Sequence, residues 1–146
     1  MRTLIAFLAV VIGGCATVYT PSPGTAPAPA PAPESAARTE TIAIASLLDG
    51  ARADTAAGRL ANAAASLERA LRIEPRNPRL WQELARVRLK QSDYAQAEST
   101  AARSNSWAGS DNALRAENWR LIAQAREARG NTEGARSALE AAERQR

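Results

Sequence analysis

Trp81-Gln82-Glu83-Leu84-Ala85 and, shortly after it, Tyr94-Ala95-Gln96-Ala97 have counterparts both upstream and downstream. Counting back 34 residues from Trp81, Ala85, Ser92, Tyr94, Ala97, Ala101 and Ser104 reaches Leu47, Ala51, Gly58, Leu60, Ala63, Leu67 and Ala70. Counting forward 38 reaches Trp119, Ala123, Gly130, Thr132, Ala135, Leu139 and Ala142. The four additional residues fall in Asn105 to Asp111, whose Ser/Asn/Gly composition is that of a loop. The periodicity predicts helices over about 41–57, 60–74, 78–91, 94–104, 112–129 and 132–145. Gly58 and Gly130 fall where the first helix of a pair ends, a place for left-handed backbone that glycine adopts most cheaply. Asn77-Pro78 reads as a cap followed by proline at the first helical position, where its missing N–H is harmless. Ala63, Ala97 and Ala135 sit where the second helix crosses the first, and a larger side chain there would force the pair apart. Glycine and proline recurring at pair boundaries argue against one long coiled coil. A plain up-down bundle is the remaining competitor.

A 34-residue period of two helices, with W-x-x-L-A early and a small residue at the crossing, resembles the tetratricopeptide repeat. The best matches are Trp81 to Ala85, Tyr94 to Ala97, and Ala63 to Pro75, with Trp119, Ile122, Ala123, Gly130 and Ala135 carrying the third copy. Asp54, Arg86 and Arg88 depart from it, standing where an aromatic usually packs, and no proline closes the second repeat. The resemblance implies an all-α helical-repeat solenoid of about three helix pairs over residues 41–146, with repeats at about 44–77, 78–111 and 116–146. It also implies binding rather than catalysis, with the first helix of each pair lining a concave groove. Helical spacing then puts Leu48 and Arg52, then Arg79, Gln82, Arg86 and Lys90, then Glu117, Arg120, Gln124 and Glu127 on that face. Arg79, Arg86 and Lys90 share one stripe of a single helix, suited to an acidic partner segment. The plainer reading is a solvated charged face. Leu48, Arg52, Glu83 and Glu117 break the pattern of the chaperone-type clamps that hold a C-terminal carboxylate. Trp81 and Trp119 occupy equivalent core positions. Trp107 lies in the insertion, where it either plugs a gap beside the third pair or stands exposed as an interface anchor.

Composition narrows the chemistry. Among 146 residues there is no histidine and a single cysteine, Cys15. Ser-His-Asp and Cys-His catalysis, His-based metal sites and an internal disulfide are thereby excluded. No carboxylate pair stands out for acid–base work, so neither an enzyme nor a cofactor is expected. Thirty-five residues are alanine, the best helix former, which suits closely packed helices. The net charge of +4 is mild, and 18 of the 19 basic residues are arginine. A basic face can suggest nucleic acid, but the export signal makes that partner a poor fit.

That signal is at the N-terminus. Arg2 supplies the positive charge and Leu4 to Ile12 an apolar run of nine residues, too short to span a bilayer. Ile12-Gly13-Gly14-Cys15 resembles the bacterial lipobox, which implies a lipoprotein signal peptide at 1–14 and lipidation of Cys15. Ala16, where inner-membrane retention favours aspartate, implies the outer membrane, facing the periplasm. An ordinary signal peptide cleaved after Ala16 is the duller alternative. Six of the eight prolines lie between Pro21 and Pro33, so residues 15–40 read as a lipidated, polyproline-like tether. Lipobox, Pro/Ala tether and small repeat domain together are similar to outer-membrane Lpo-type activators, whose LpoP branch uses tetratricopeptide repeats. That similarity implies a periplasmic protein partner, a class A penicillin-binding protein, and a role in peptidoglycan synthesis. Pilotin-like assembly lipoproteins of type IV pili or secretion systems, and adaptors of peptidoglycan hydrolases, share the architecture.

Overall fold

Six α-helices and no strand make up the described residues, 33–145, of the computed structural model. They are α1 (Pro33–Ala56), α2 (Leu60–Ile73), α3 (Pro78–Lys90), α4 (Tyr94–Trp107), α5 (Asn112–Ala128) and α6 (Thr132–Glu143). The segment read as a signal peptide, Cys15 and the proline-rich stretch up to Ala32 lie outside the described residues.

Each junction is built from a short polar or glycine signal. Asn77 accepts from the backbone N–H groups of Arg79 and Leu80, Asp93 from Gln96, Asp111 from Leu114 and Asn131 from Gly134. These acceptors satisfy amide donors that an α-helix leaves orphaned at its start. Gly58 and Gly130 have φ of 74° and 77°, as their places at the ends of first helices require. Ser92 holds the same place in the second pair and is forced to φ 63° without the glycine. The turns are short, so successive helices run antiparallel and pack as α1·α2, α3·α4 and α5·α6 hairpins. The hairpins stack in order through α2·α3 and α4·α5, and α3 also touches α5. That serial stacking is a repeat solenoid and not a coiled coil.

The crossings hold the small residues the sequence calls for, with Ala63, Ala97 and Ala135 all buried. Around them, Ile44, Leu67, Leu71, Leu80, Leu84 and Val87 form one apolar cluster. Leu121, Ile122, Ala101 and Ala138 form a second, with Trp119 packed against it. At the places where the family's aromatics are missing, ion pairs stand instead: Arg88 with Glu68 and Asp54 with Arg59.

Two boundaries differ from expectation. α1 begins at Pro33 and not near residue 41. Its first turn carries Glu34, favourable at a helix N-terminus, and Ala36, Ala37, Arg38 and Glu40 are good helix formers. The helix needs no tertiary partner there, since its first buried side chain is Ile44. α4 runs on through Asn105 and Ser106 to Trp107, so the insertion's loop shrinks to residues 108–111. Asn105, outside the expected helix, lies within α4 and its side chain accepts from the buried Asn118 of α5.

Candidate partner-binding groove

α1, α3 and α5, the first helices of the three pairs, border a groove of about 490 Å³. Its apolar floor includes Leu48, Leu67, Leu89 and Leu121, and Arg52, Arg86, Lys90, Glu83, Glu117 and Gln124 supply its polar rim. The rim charges are partly satisfied within the protein. Arg86 donates to Glu117 at 3.1 Å, while Arg52 lies 3.6 Å from Asp49 and 3.9 Å from Glu83. Arg86 still has a buried Nε–H without an acceptor, and Lys90 has no ion-pair partner among the described residues. Lys90 is exposed, so the groove offers one accessible, unpaired cation beside an apolar floor, an arrangement that suits an extended or helical peptide bearing an acidic group.

Of the sequence-derived candidates, the groove gathers Arg52, Arg86, Lys90 and Gln124. Three others do not line it. Arg79 stands at the start of α3, beyond the groove, and pairs with Asp111 at 3.2 Å. Arg120 pairs at 3.2 Å with Glu117, the groove carboxylate that Arg86 also meets. Gln82 is buried at 8% exposure and is structural. Its Nε2 donates to the Oδ1 of Asn118 at 3.1 Å.

Asn118 is the residue the sequence reading missed. Fully buried, it also donates through Nδ2 to Ser104 Oγ at 2.7 Å and Asn105 Oδ1 at 2.9 Å, and Ser104 Oγ in turn donates to the Pro78 carbonyl at 2.7 Å. This network ties α3, α4 and α5 together. The only sequence cue is an asparagine one residue before Trp119 on a face otherwise apolar.

A family model, Tetratricopeptide repeat, matches residues 54–117. The globular C-terminal domain of P. aeruginosa LpoP superposes with a TM-score of 0.67 at 48% identity, covering 68% of this chain and 94% of that one. The chain belongs to the LpoP-type tetratricopeptide-repeat family. No curated protein matches it. The fold is that of a protein-interaction module, and among the described residues no group of acidic or Cys side chains could hold a metal ion. The described residues, 33–145, belong to one compact unit whose buried apolar side chains all lie between Ile44 and Ala142, the part that matches the separately solved globular domain.

The tryptophans separate as well. Trp81 is half-buried, its Nε1 donating to the Pro75 carbonyl at 2.8 Å, and Trp119 packs on the second apolar cluster. Trp107 plugs no gap: it is 44% exposed, with the Arg76 guanidinium 5.2 Å from its ring centroid. Arg103 is exposed, with its guanidinium 5.0 Å from the Trp81 ring centroid.

Proposed function

We propose that this protein is a non-catalytic, lipid-anchored module of the outer membrane that activates or scaffolds a class A penicillin-binding protein from the periplasmic face. The observation that carries the reading is 48% identity over nearly the whole globular domain of LpoP. Supporting it, the groove between α1, α3 and α5 sets Lys90, exposed and without an ion-pair partner among the described residues, beside an apolar floor. Cys15, followed by a proline-rich tether, is the anchor. Several acyl chains at about 0.8 kcal/mol per buried CH₂ make such an anchor effectively permanent.

Titrating residues 31–146 into a purified class A penicillin-binding protein from the same cell, with glycan-strand synthesis as readout, tests the partner. Saturable binding with stimulated synthesis is expected, and absence of both sinks the reading. For the anchor, Cys15→Ala is expected to abolish metabolic palmitate labelling and release the protein or leave it unprocessed. Unchanged labelling would show that another residue takes the lipid.

A further inference from the structure

Four large hydrophobic side chains are exposed among the described residues: Ile42 at 63%, Ile73 at 37%, Trp107 at 44% and Leu139 at 50%. Three of them share one end of the stack. The ends of α2 and α4 and the starts of α3 and α5 meet there, as shown by Arg76 over Trp107 and by Arg79 paired with Asp111. α1 enters at the same end, because Ala43 and Ser46 line a shallow depression with Arg69, Arg72 and Ile73 at the end of α2. A neighbouring depression runs from Ile73 through Pro75 and Arg76 to Arg79, so the surface is continuous.

The charge of this end leans positive, although Glu74 lines the second depression and Glu40 stands exposed two residues before Ile42. Arg69, Arg72, Arg76 and Arg103 have no carboxylate partner among the described residues, in a protein where eight other arginines do. Most of the nearby acids are engaged within the protein. Glu68 is paired with Arg88 and Asp111 with Arg79, while Glu74 accepts from Asn77 at 2.7 Å. Arg76 and Arg103 lie on tryptophan faces, which orients each guanidinium while leaving its N–H edge free for an oxyanion.

We propose that this end is a docking surface for an anionic phospholipid bilayer, with Trp107, Ile73 and Ile42 entering the headgroup region and the arginines meeting phosphates. Interfacial tryptophan beside basic residues is the side-chain set that such a surface recognises. The choice of a membrane over another protein chain rests on the lipid-anchor reading above. Cys15, the residue read as lipidated, lies only 18 residues before Pro33 in the sequence, so the anchoring leaflet is a surface within reach. Docking there and reaching a partner across the periplasm are alternative positions of the same module.

The test uses residues 31–146, which lack Cys15, so its outcome is independent of lipidation. Flotation with vesicles containing phosphatidylglycerol is compared with phosphatidylcholine vesicles. Binding to the anionic vesicles, weakened by salt, is expected, together with a blue shift of tryptophan emission that Trp107→Phe removes. Reversal of Arg69, Arg72 and Arg76 to glutamate is expected to lower binding by more than about a hundredfold, at roughly fivefold or more for each charge. Circular dichroism checks that variant, and Trp107→Ala, at an exposed position, gives an independent loss of binding. Binding that ignores lipid charge, survives both variants, or leaves the emission unmoved overturns the proposal. So does binding to polyglutamate with none to vesicles, which would make the end a site for an acidic protein.

Discussion

Ser92 and Asn118 are the two residues at which the local chemistry is most exposed to test. Ser92 sits at φ 63° where the other two repeats place glycine. A left-handed conformation costs an L-residue roughly 1–2 kcal/mol, and glycine's larger unfolded-state entropy takes back roughly 0.5–1 of that. Ser92→Gly is therefore expected to stabilise by about 0.5 kcal/mol, a rise of roughly 2–4 °C in the melting temperature. An unchanged or lower value would mean that the serine makes its turn without strain. Asn118 predicts the opposite sign. Replacing it with alanine strands the Gln82 amide and the Asn105 side chain in a buried, low-dielectric place. Each unsatisfied group costs about 1–3 kcal/mol, so Asn118→Ala is expected to destabilise by about 2–4 kcal/mol in denaturant melts. A loss below about 1 kcal/mol would show that water or rearranged side chains replace the network.

Among the elements, the helix pairs were readable because their signals are local: caps, glycines and alanines recur at fixed offsets, and the structure uses them as placed. Ala97 shows how specific that reading is. Buried at the crossing of α3 and α4, it has no room for added methylenes, and Ala97→Leu is expected to cost about 1–3 kcal/mol. Arg103→Ala on the same helix should cost less than about 1 kcal/mol, the scale of its exposed contact with Trp81. Equal melting temperatures for the two variants would put the register in error. The groove was less legible, and α3 shows why. Gln82, Arg86 and Lys90 lie within a narrow arc by helical spacing, yet only the last two line the groove. Periodicity gives a side chain's azimuth, but whether it faces solvent depends on how the next hairpin stacks. α5 stacks on the edge of α3 that carries Gln82, through Asn118. Arg79 shares the azimuth but lies too near the start of the helix, where Asp111 meets it. The early start of α1 escaped for the opposite reason. Its first turns bury nothing, so no apolar pattern marks them, and helix propensity alone extends the element to Pro33.

At the scale of the whole molecule, the arginine excess resolves into a cationic end and a groove of mixed charge, and the groove yields the sharpest functional prediction. Arg52, Arg86 and Lys90 replace the stripe that spacing alone picks out, because they are the cations that line one depression. Changing all three to glutamate moves each from +1 to −1 and sets it against Glu83 and Glu117. An acidic partner segment would then be repelled. Since exposed charges contribute only about 0–1 kcal/mol singly, the combined variant is the informative one. Association with the penicillin-binding protein is expected to slow, and the remaining binding to lose its weakening by salt, with little change in dissociation. Arg52 and Arg86 also hold intramolecular ion pairs, so circular dichroism and a thermal melt accompany the titration. Lys90→Glu with Gln124→Glu supplies a second variant that breaks no ion pair and should show the same direction more weakly. If both variants fold, bind and stimulate like the wild type, the groove is a solvated face. The partner would then have to engage the molecule elsewhere. The exposed end that carries Trp107 is then the next surface to test: Trp107→Ala is expected to lower binding in the same titration, and an unchanged affinity would rule that end out too.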